Sequence, residues 1–328
     1  MANPAPVEEI LEPDLPICDP HHHLWDFPNN RYLLPELLAD VQSGHAVQST
    51  VFVECTAFYR ASGPEELRFI GETEFVNGAA AMAASGRYGS VLACEGIVSR
   101  ADLMLGERAG AVLDAHIAAG NGRFRGIRHA GGWDASEEVR NSHTEPPKGL
   151  YAREDFRAGM RELGKRGLTF EAWQYHPQLP EVTALARTVP ETNIVLDHVG
   201  GPLGIGPYAG KRNAIFAEWA ANIRELATCP NVWVKLGGLG MATLGFDFHK
   251  RDALPGSQEL ADAWRPYLET CIEAFGPERG MLESNFPVDG VSCSYANLWN
   301  AFKRVTKGAS AAEKALLYRD TARRFYRL

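Results

Sequence analysis

The sequence lacks the patterns that would place it in several common classes of protein. Six cysteines occur among its 328 residues, but no two form a CxxC pair, so neither a thioredoxin-like redox motif nor a paired-cysteine zinc site is indicated. A chain of this length has room for a large apolar core and does not depend on disulfide bonds for stability. We therefore expect free thiols, as in a reducing compartment.

Long apolar runs and an excess of positive charge are also missing. No apolar run approaches the ~20 residues that a membrane-spanning helix requires, and the first residues lack the basic and apolar regions of a signal peptide. The formal net charge is −8, which argues against a nucleic acid or an anionic membrane as the partner, because such binding depends on basic surface. We expect a cytoplasmic protein that acts on a small molecule, and homo-oligomer formation is left open.

No GxGxxG motif follows the first predicted strand, which counts against a dinucleotide-binding sheet. Instead, short apolar or β-branched runs alternate with stretches of helical period, an order that predicts an α/β fold with a parallel sheet and outer helices. Eight βα units are the number at which such a sheet closes. We predict one (β/α)8 barrel over residues 15–328, after an N-terminal extension over residues 1–14, in preference to an open doubly wound sheet. The predicted strands are Leu15–Asp19, Val47–Glu54, Ser90–Ile97, Phe124–Arg128, Leu168–Trp173, Asn193–Asp197, Asn231–Leu236 and Gly280–Ser284.

Between the strands, apolar residues recur every three or four positions, as burial of one helix face requires. Two connections, His129–Gly149 and Gly237–Gly256, are long and show little periodicity. Both would lie at the carboxyl ends of barrel strands, where long loops commonly bind or cover substrate. The clearest predicted helices contain Phe156–Leu163, Ile215–Leu226, Leu260–Phe275, Leu298–Val305 and Ala311–Tyr326.

The first predicted strand leads into three consecutive histidines, His21, His22 and His23. Residues i and i+2 of an extended segment point to the same side, so His21 and His23 can converge at the barrel mouth while His22 points elsewhere. His198 ends the sixth predicted strand and brings a third imidazole to the same rim. Neutral imidazoles are good ligands for zinc and related ions. We therefore predict a reaction centre around His21, His23 and His198, which would also hold a metal ion if one is bound.

The eighth predicted strand supplies a third chemical signal. Glu283 and Asn285 share one face of it, because they too are separated by two positions. A carboxylate or an amide at this place could orient the attacking water.

Together, the HxH motif, the strand-six histidine and the strand-eight segment resemble the amidohydrolase superfamily, in particular its amidohydrolase-2 branch of lactonases and decarboxylases. The resemblance runs from Pro16 to the C-terminus and is nearest to the group of pyrone-dicarboxylate lactonase, fuconolactonase and sulfomuconolactonase. It implies a distorted TIM-like (β/α)8 barrel in which the paired histidines correspond to His21 and His23, and the strand-six histidine to His198. Zn²⁺ or another divalent cation is a hypothesis here, because parts of this group work without one, and metal-free catalysis is kept as an alternative.

The sequence departs from this family at the end of strand eight, where the family usually has Ser-Asp followed by an aromatic residue and proline. That carboxylate binds metal or moves the proton, whereas this chain has Asn285, whose neutral amide cannot accept a proton in the same way. Glu283 and Glu54, the latter at the end of the second predicted strand, are equal candidates for the missing base. Either could instead be a buried structural carboxylate paired with a cation. Asp289 lies in the following loop.

Several polar residues at strand ends are candidates for substrate binding. The guanidinium of Arg128, at the end of the fourth strand, suits a substrate carboxylate. Tyr175 or His176, after the fifth strand, could polarise a carbonyl or hold a leaving alkoxide, although His176 could equally cap its turn. Lys235, late in the seventh strand, could stabilise an oxyanion or extend past the barrel rim.

These residues predict hydrolytic opening of a small anionic lactone by an activated water. The histidines would polarise the carbonyl or activate the water, Glu54 or Glu283 would assist proton transfer, and Arg128 would anchor an anionic substituent. A first alternative is a non-oxidative decarboxylase of an aromatic or enol carboxylate, which is weakened by Asn285. A second is a catalytically inactive barrel that binds a ligand.

Overall fold

The computed structural model describes residues 4–328, and its central element is a parallel sheet of eight strands. These strands pair in the order β1-β4-β5-β6-β7-β8-β9-β10, while β2 and β3 form a separate antiparallel hairpin. The strands are β1 (Ile17–His22), β2 (Trp25–Phe27), β3 (Asn30–Tyr32), β4 (Val47–Val53), β5 (Leu92–Ser99), β6 (Phe124–Arg128), β7 (Thr169–Ala172), β8 (Ile194–Leu196), β9 (Val232–Leu236) and β10 (Gly280–Leu282).

The sheet closes because the chain after β10 returns to β1. The backbone N–H of Asn285 donates to the carbonyl of His21 at 2.9 Å, and the N–H of His23 donates to the carbonyl of Phe286 at 2.8 Å. His22 and Phe286 form a parallel bridge between these hydrogen bonds. The predicted (β/α)8 barrel is therefore confirmed, and the histidine segment lies directly on the closing seam.

All eight predicted barrel strands are present, with some ends displaced by a few residues. The largest displacement is in β1, which runs to His22 rather than ending at Asp19. Two of the three consecutive histidines thus lie within the strand. The hairpin of β2 and β3 was not predicted, because strands of three residues are too short to show an alternating pattern.

Helices cover the outside of the barrel. On α4 the predicted face formed by Phe156, Met160 and Leu163 is fully buried, which confirms the period read from the sequence. A π-helical turn joins the last two helices. The helices are α1 (Leu34–Val41), α2 (Ile70–Ala84), α3 (Ala109–Ala119), α4 (Glu154–Lys165), α5 (Leu179–Thr188), α6 (Arg212–Ala227), α7 (Ser257–Phe275), α8 (Tyr295–Val305), α9 (Ala311–Ala315) and α10 (Thr321–Tyr326).

The alternation of side chains along each strand separates two apolar layers. Phe52 and its neighbours pack between the sheet and the helices, whereas Val51 belongs to a cluster inside the barrel. Phe325 and Tyr326 of α10 complete this inner cluster. The Arg324 guanidinium also donates to the carbonyl of Glu278, just before β10. Helix α10 therefore closes the end of the barrel where the strands begin, and leaves the opposite end for the functional residues.

The N-terminal segment packs on the helical layer. Over residues 4–14 it runs along α8, where the side-chain amides of Asn297 and Asn300 donate to the carbonyls of Pro6 and Glu9, both at 2.9 Å. The first three residues of the predicted extension lie outside the described residues. Among residues 4–328, no helix combines the length and the apolar character needed to cross a bilayer.

Candidate active site

The three predicted histidines come together at the carboxyl end of the strands. The ring centroid of His21 lies 5.0 Å from that of His23 and 4.5 Å from that of His198. His22 points away from them, and its Nε2 lies 2.8 Å from the hydroxyl oxygen of Thr50. The alternation along β1 therefore selects two of the three histidines for the mouth, and the turn after β8 supplies the third.

Glu283 connects two of these imidazoles. Its Oε1 accepts from Nδ1 of His198 at 2.7 Å, and its Oε2 lies 2.9 Å from Nδ1 of His21. The loop after β9 passes directly over this group: a Cβ at Gly238, where φ is +66°, would come within 2.4 Å of Cγ of His198. Only glycine allows this approach, and the contact holds the His198 ring in place.

Two cationic side chains lie against His21. Nη1 of Arg128 is 3.3 Å from its Nε2, and Nζ of Lys235 is 3.1 Å from its Nδ1. Burial, reinforced by the charge of Lys235, holds the pKa of His21 well below its usual range. Burial also lowers the pKa of His23 to about 3, with Arg128 as the next cause. Both imidazoles are therefore neutral at physiological pH.

Lys235 lies inside the barrel rather than past its rim. The side chain is fully buried, and Nζ donates to Oε2 of Glu171 at 2.5 Å and lies 3.5 Å from Oδ1 of Asp197. Burial opposes its charge, but Glu171 and Asp197 outweigh burial and raise the pKa of Lys235. Lys235 is thus a permanent interior cation, whose neighbours Glu171 and Asp197 were not singled out in the sequence.

Asp197 is the functional candidate that sequence reasoning missed. Burial opposes its charge, yet Lys235 and other nearby groups lower its pKa to about 2. Among residues 4–328, neither carboxylate oxygen accepts a hydrogen bond, although Nζ of Lys235 and Nη1 of Arg128 each lie 3.5 Å from one of them. Ligand atoms of His21, Asp197 and His198 all lie within 4.8 Å of one another. The sequence did offer one signal for Asp197. It directly precedes His198, and it follows Val195 by two positions, so both side chains point into the barrel.

Glu54 and Arg128 form a fully buried pair at the mouth. Nε of Arg128 donates to Oε1 of Glu54 at 2.7 Å, and its Nη2 donates to the carbonyl of the same residue at 2.5 Å. Nε2 of His143, in the long loop after β6, lies 3.1 Å from Oε2 of Glu54. Burial opposes the charge of Glu54, but His143 and Arg128 outweigh burial and lower its pKa. Glu54 is ionised and holds two other side chains. His143 was missed, although its loop was predicted to be functional.

The sequence model of a protein family described as amidohydrolase matches residues 18–328. The chain belongs to the amidohydrolase family. An uncharacterised protein of Sinorhizobium fredii is 32% identical to it over 96% of this chain and 99% of that protein. An L-fucono-1,5-lactonase of Burkholderia multivorans is 30% identical over 53% of this chain, and the matched region covers 56% of the lactonase.

Solved structures of amidohydrolases share the fold. A Burkholderia multivorans amidohydrolase with bound HEPES superposes with a TM-score of 0.70 at 25% identity, covering 95% of this chain and 99% of that one. A structure with the same description but with bound zinc also gives 0.70, at 24% identity and the same coverage. These matches confirm the barrel and, with the lactonase relative, the resemblance to the lactonase group of the amidohydrolase superfamily.

In this amidohydrolase, Asn285 stands at the end of the eighth barrel strand with φ of +54°. Its side-chain amide donates to Oδ1 of Asp289 at 2.8 Å, and the other carboxylate oxygen of Asp289 accepts from the backbone N–H of Gly240, also at 2.8 Å. Burial raises the pKa of Asp289 to about 7. The strand-eight amide therefore contacts a carboxyl group four residues further along the chain, which ties the β10 and β9 loops together.

The pKa of Asp289 predicts a specific pH dependence of stability. Between the ordinary aspartate pKa of about 4 and pH 7, the folded state retains a proton that the unfolded state has lost, so rising pH destabilises the fold by about 1.4 kcal/mol per pH unit. Asp289→Asn removes this effect. The measured quantity is the unfolding free energy of wild type minus that of D289N, from urea titrations at several pH values. We expect it to fall by about 1.4 kcal/mol per pH unit between about pH 4 and pH 7. Parallel pH curves would contradict the assignment.

Tyr175 and His176 are held in the loops rather than in the histidine cluster. The Tyr175 hydroxyl donates to the carbonyl of Arg140, and Nδ1 of His176 accepts from the backbone N–H of Leu203 at 3.2 Å. Among residues 4–328, neither side chain hydrogen-bonds to His21, His23 or His198. The structure therefore does not bring these two candidates to the imidazoles, and Nδ1 of His176 binds the loop after β8 rather than capping its own turn.

Proposed function

We propose that this amidohydrolase hydrolyses a small anionic lactone. One arrangement carries the proposal: the neutral imidazole of His21 lies between the cations of Arg128 and Lys235, with His198 beside it. Ester hydrolysis develops negative charge on the carbonyl oxygen, and fixed donors in a water-poor site stabilise that charge strongly. The similarity to an L-fucono-1,5-lactonase supports a lactone as the ester.

Arg128 is the group we assign to the anionic part of the substrate. Its Nε and Nη2 are bound by Glu54, whereas Nη1 is directed at His21 and Asp197, 3.3 Å from Nε2 of the one and 3.5 Å from Oδ2 of the other. The guanidinium is thus fixed in position before the substrate arrives, which reduces the entropy lost on binding. A carboxylate or a lactone carbonyl would be bound by Nη1, the one terminal nitrogen of Arg128 that Glu54 does not hold.

A divalent cation fits the centre chemically. Two imidazoles and a carboxylate are a typical donor set for zinc. The ionised Asp197 is fully buried, and its oxygens form ion pairs at 3.5 Å with Lys235 and Arg128 but accept no hydrogen bond among residues 4–328. We propose that His21, Asp197 and His198 hold this ion. His23, predicted as the third ligand, is outside this group, and its Nδ1 lies 2.8 Å from the carbonyl of Val53. A bound ion would supply Lewis-acid polarisation and an activated water.

Glu283 keeps the imidazoles in a single orientation in this proposal. Because a carboxylate only accepts hydrogen bonds, Nδ1 of His198 carries the proton and its Nε2 is left as the electron-pair donor. The backbone N–H of His198 donates to the same oxygen at 3.2 Å, which fixes the carboxylate as well. Glu283 is thus assigned to positioning rather than to direct attack on the lactone.

A lactone screen with metal analysis tests the proposed function. Purified protein, with and without added Zn²⁺, would be incubated with sugar-acid lactones and with lactones carrying a carboxylate, and acid release would be followed with a pH indicator. We expect hydrolysis of at least one anionic lactone and about one divalent ion per chain by elemental analysis. A chelator-treated sample separates metal-dependent from metal-free turnover.

The same samples discriminate the two alternative functions. Release of CO₂ from aromatic or enol carboxylates, without acid release from any lactone, would identify a decarboxylase. If neither reaction occurs with metal-loaded protein, the chain is a ligand-binding barrel and the proposal is wrong.

A further inference from the structure

We propose that His143 is a further catalytic residue of this centre and acts as the general base, with Glu54 as the carboxylate that orients it. This inference rests on the proposed lactone hydrolysis and identifies the group that replaces the absent strand-eight acid. His143 lies in the loop between β6 and α4, at the carboxyl end of a barrel strand, where catalytic residues of such barrels are found.

The contact with Glu54 determines which nitrogen of His143 can take a proton. Nε2 lies 3.1 Å from Oε2 of Glu54, which is fully buried. An ionised carboxylate only accepts, so Nε2 carries the hydrogen and Nδ1 presents its lone pair. Nδ1 has no hydrogen-bond partner among residues 4–328. A histidine oriented by a buried carboxylate is the arrangement that general-base catalysis uses.

The loop holds His143 from both sides. Ser142 donates its backbone N–H to the carbonyl of Gly132 at 2.8 Å and accepts the N–H of the same residue on its hydroxyl at 3.1 Å. The hydroxyl of Thr144 donates to the carbonyl of Ala130. The two neighbours of His143 are thus fixed to the first residues of the loop, so the imidazole is placed in advance, as a catalytic group must be.

The other candidate bases are occupied by contacts of their own. Oε1 of Glu54 binds Arg128, and the two oxygens of Glu283 lie against His198 and His21. By contrast, the side chain of His143 is 28% exposed. A water molecule can therefore reach this imidazole from solvent, whereas His21 is fully buried.

The step balances with water as the only co-reactant. The oxygen of water bonds to the lactone carbonyl carbon while Nδ1 of His143 takes one of its protons. The ring C–O bond then breaks, and the proton on Nδ1 passes to the leaving alkoxide oxygen. The products are the ring-opened hydroxy acid and neutral His143, so no oxidant or reductant is required.

Substitutions at His143 separate a chemical role from a structural one. His143→Gln can still donate a hydrogen bond to Glu54 but cannot carry a proton, whereas His143→Ala loses both functions. We expect both variants to lower kcat by about 100- to 10,000-fold with little change in KM. Imidazole added to H143A should restore part of the activity. The control variant is Glu145→Gln, an exposed position of the same loop, which should keep wild-type kcat.

The pH profile gives a second readout. Within residues 4–328, Glu54 contacts Nε2 of His143, His129 interacts with it electrostatically, and Arg128 is bound to the other oxygen of Glu54. We expect the acidic limb of kcat/KM in wild type to be lost in H143Q. If wild type opens lactones but H143Q keeps wild-type kcat and the same limb, only the role of His143 is overturned. If wild type opens no lactone, both proposals fail.

Discussion

Replacing His198 by alanine is expected to lower lactone turnover by three orders of magnitude or more, the upper part of the range of about 10²–10⁴ for loss of one acid–base group. The imidazole lies 4.5 Å from that of His21, and its Nε2 is left open because Nδ1 donates to Glu283. Alanine removes one of the three proposed metal ligands. It also removes the imidazole that holds Glu283, whose other oxygen lies against His21. Bound metal should fall together with turnover.

The fold should survive this substitution. The backbone N–H of His198 still donates to Glu283 at 3.2 Å, so the buried carboxylate keeps a donor. Far-UV circular dichroism and a urea unfolding curve would establish that H198A is folded before its kinetics are measured. His116→Gln is the matched control, because His116 is a buried histidine that contacts Thr73 and the carbonyl of Arg100 on the helical side of the barrel. Full activity in H198A would refute the assigned centre.

Lys235→Met is expected to destabilise the barrel by about 3–5 kcal/mol, the usual result of removing one partner from a buried ion pair. The ammonium group lies 2.5 Å from Glu171 and 3.5 Å from Asp197, and all three side chains are fully buried. Because methionine keeps most of the side-chain volume, the loss of unfolding free energy comes from the missing charge rather than from a cavity. The measurement is the unfolding free energy from urea titration.

Two further variants test the electrostatic explanation for Lys235. Adding Glu171→Gln to K235M should recover part of the loss, because the amide leaves no carboxylate without its cation. Lys250→Met removes an exposed pair with Asp247, whose side chains are 64% and 53% exposed, and should cost less than about 1 kcal/mol. If K235M and K250M lose the same unfolding free energy, the buried pair stabilises the fold no more than an exposed pair does, and the electrostatic explanation is wrong.

Much of the fold could be predicted from local patterns. Apolar residues alternate along strands and recur every three or four positions along helices, so all eight barrel strands and the buried face of α4 were found from the sequence. The position of His21 and His23 on one side of β1 followed from the same alternation. The hairpin of β2 and β3 was missed, since so short a strand has no measurable period.

The partners of the polar residues could not be predicted in this way. Glu54 was considered as a base, but in the fold it binds Arg128 and His143, which lie 74 and 89 positions away in sequence. Lys235 was expected either to stabilise an oxyanion or to extend past the rim, yet it is paired with Glu171 inside the barrel. Tyr175 and His176 follow a barrel strand as predicted, but their contacts are with loops.

The sequence by itself determined the barrel, its family and the three imidazoles that meet at its mouth, because these depend on periodicity and on the order of motifs along the chain. Only the tertiary structure decided that Asp197 joins His21 and His198, that Lys235 is an interior cation, and that His143 reaches Glu54. Those contacts depend on strand register, on the closure between β10 and β1, and on the path of one long loop. Each is a long-range property that no local pattern encodes.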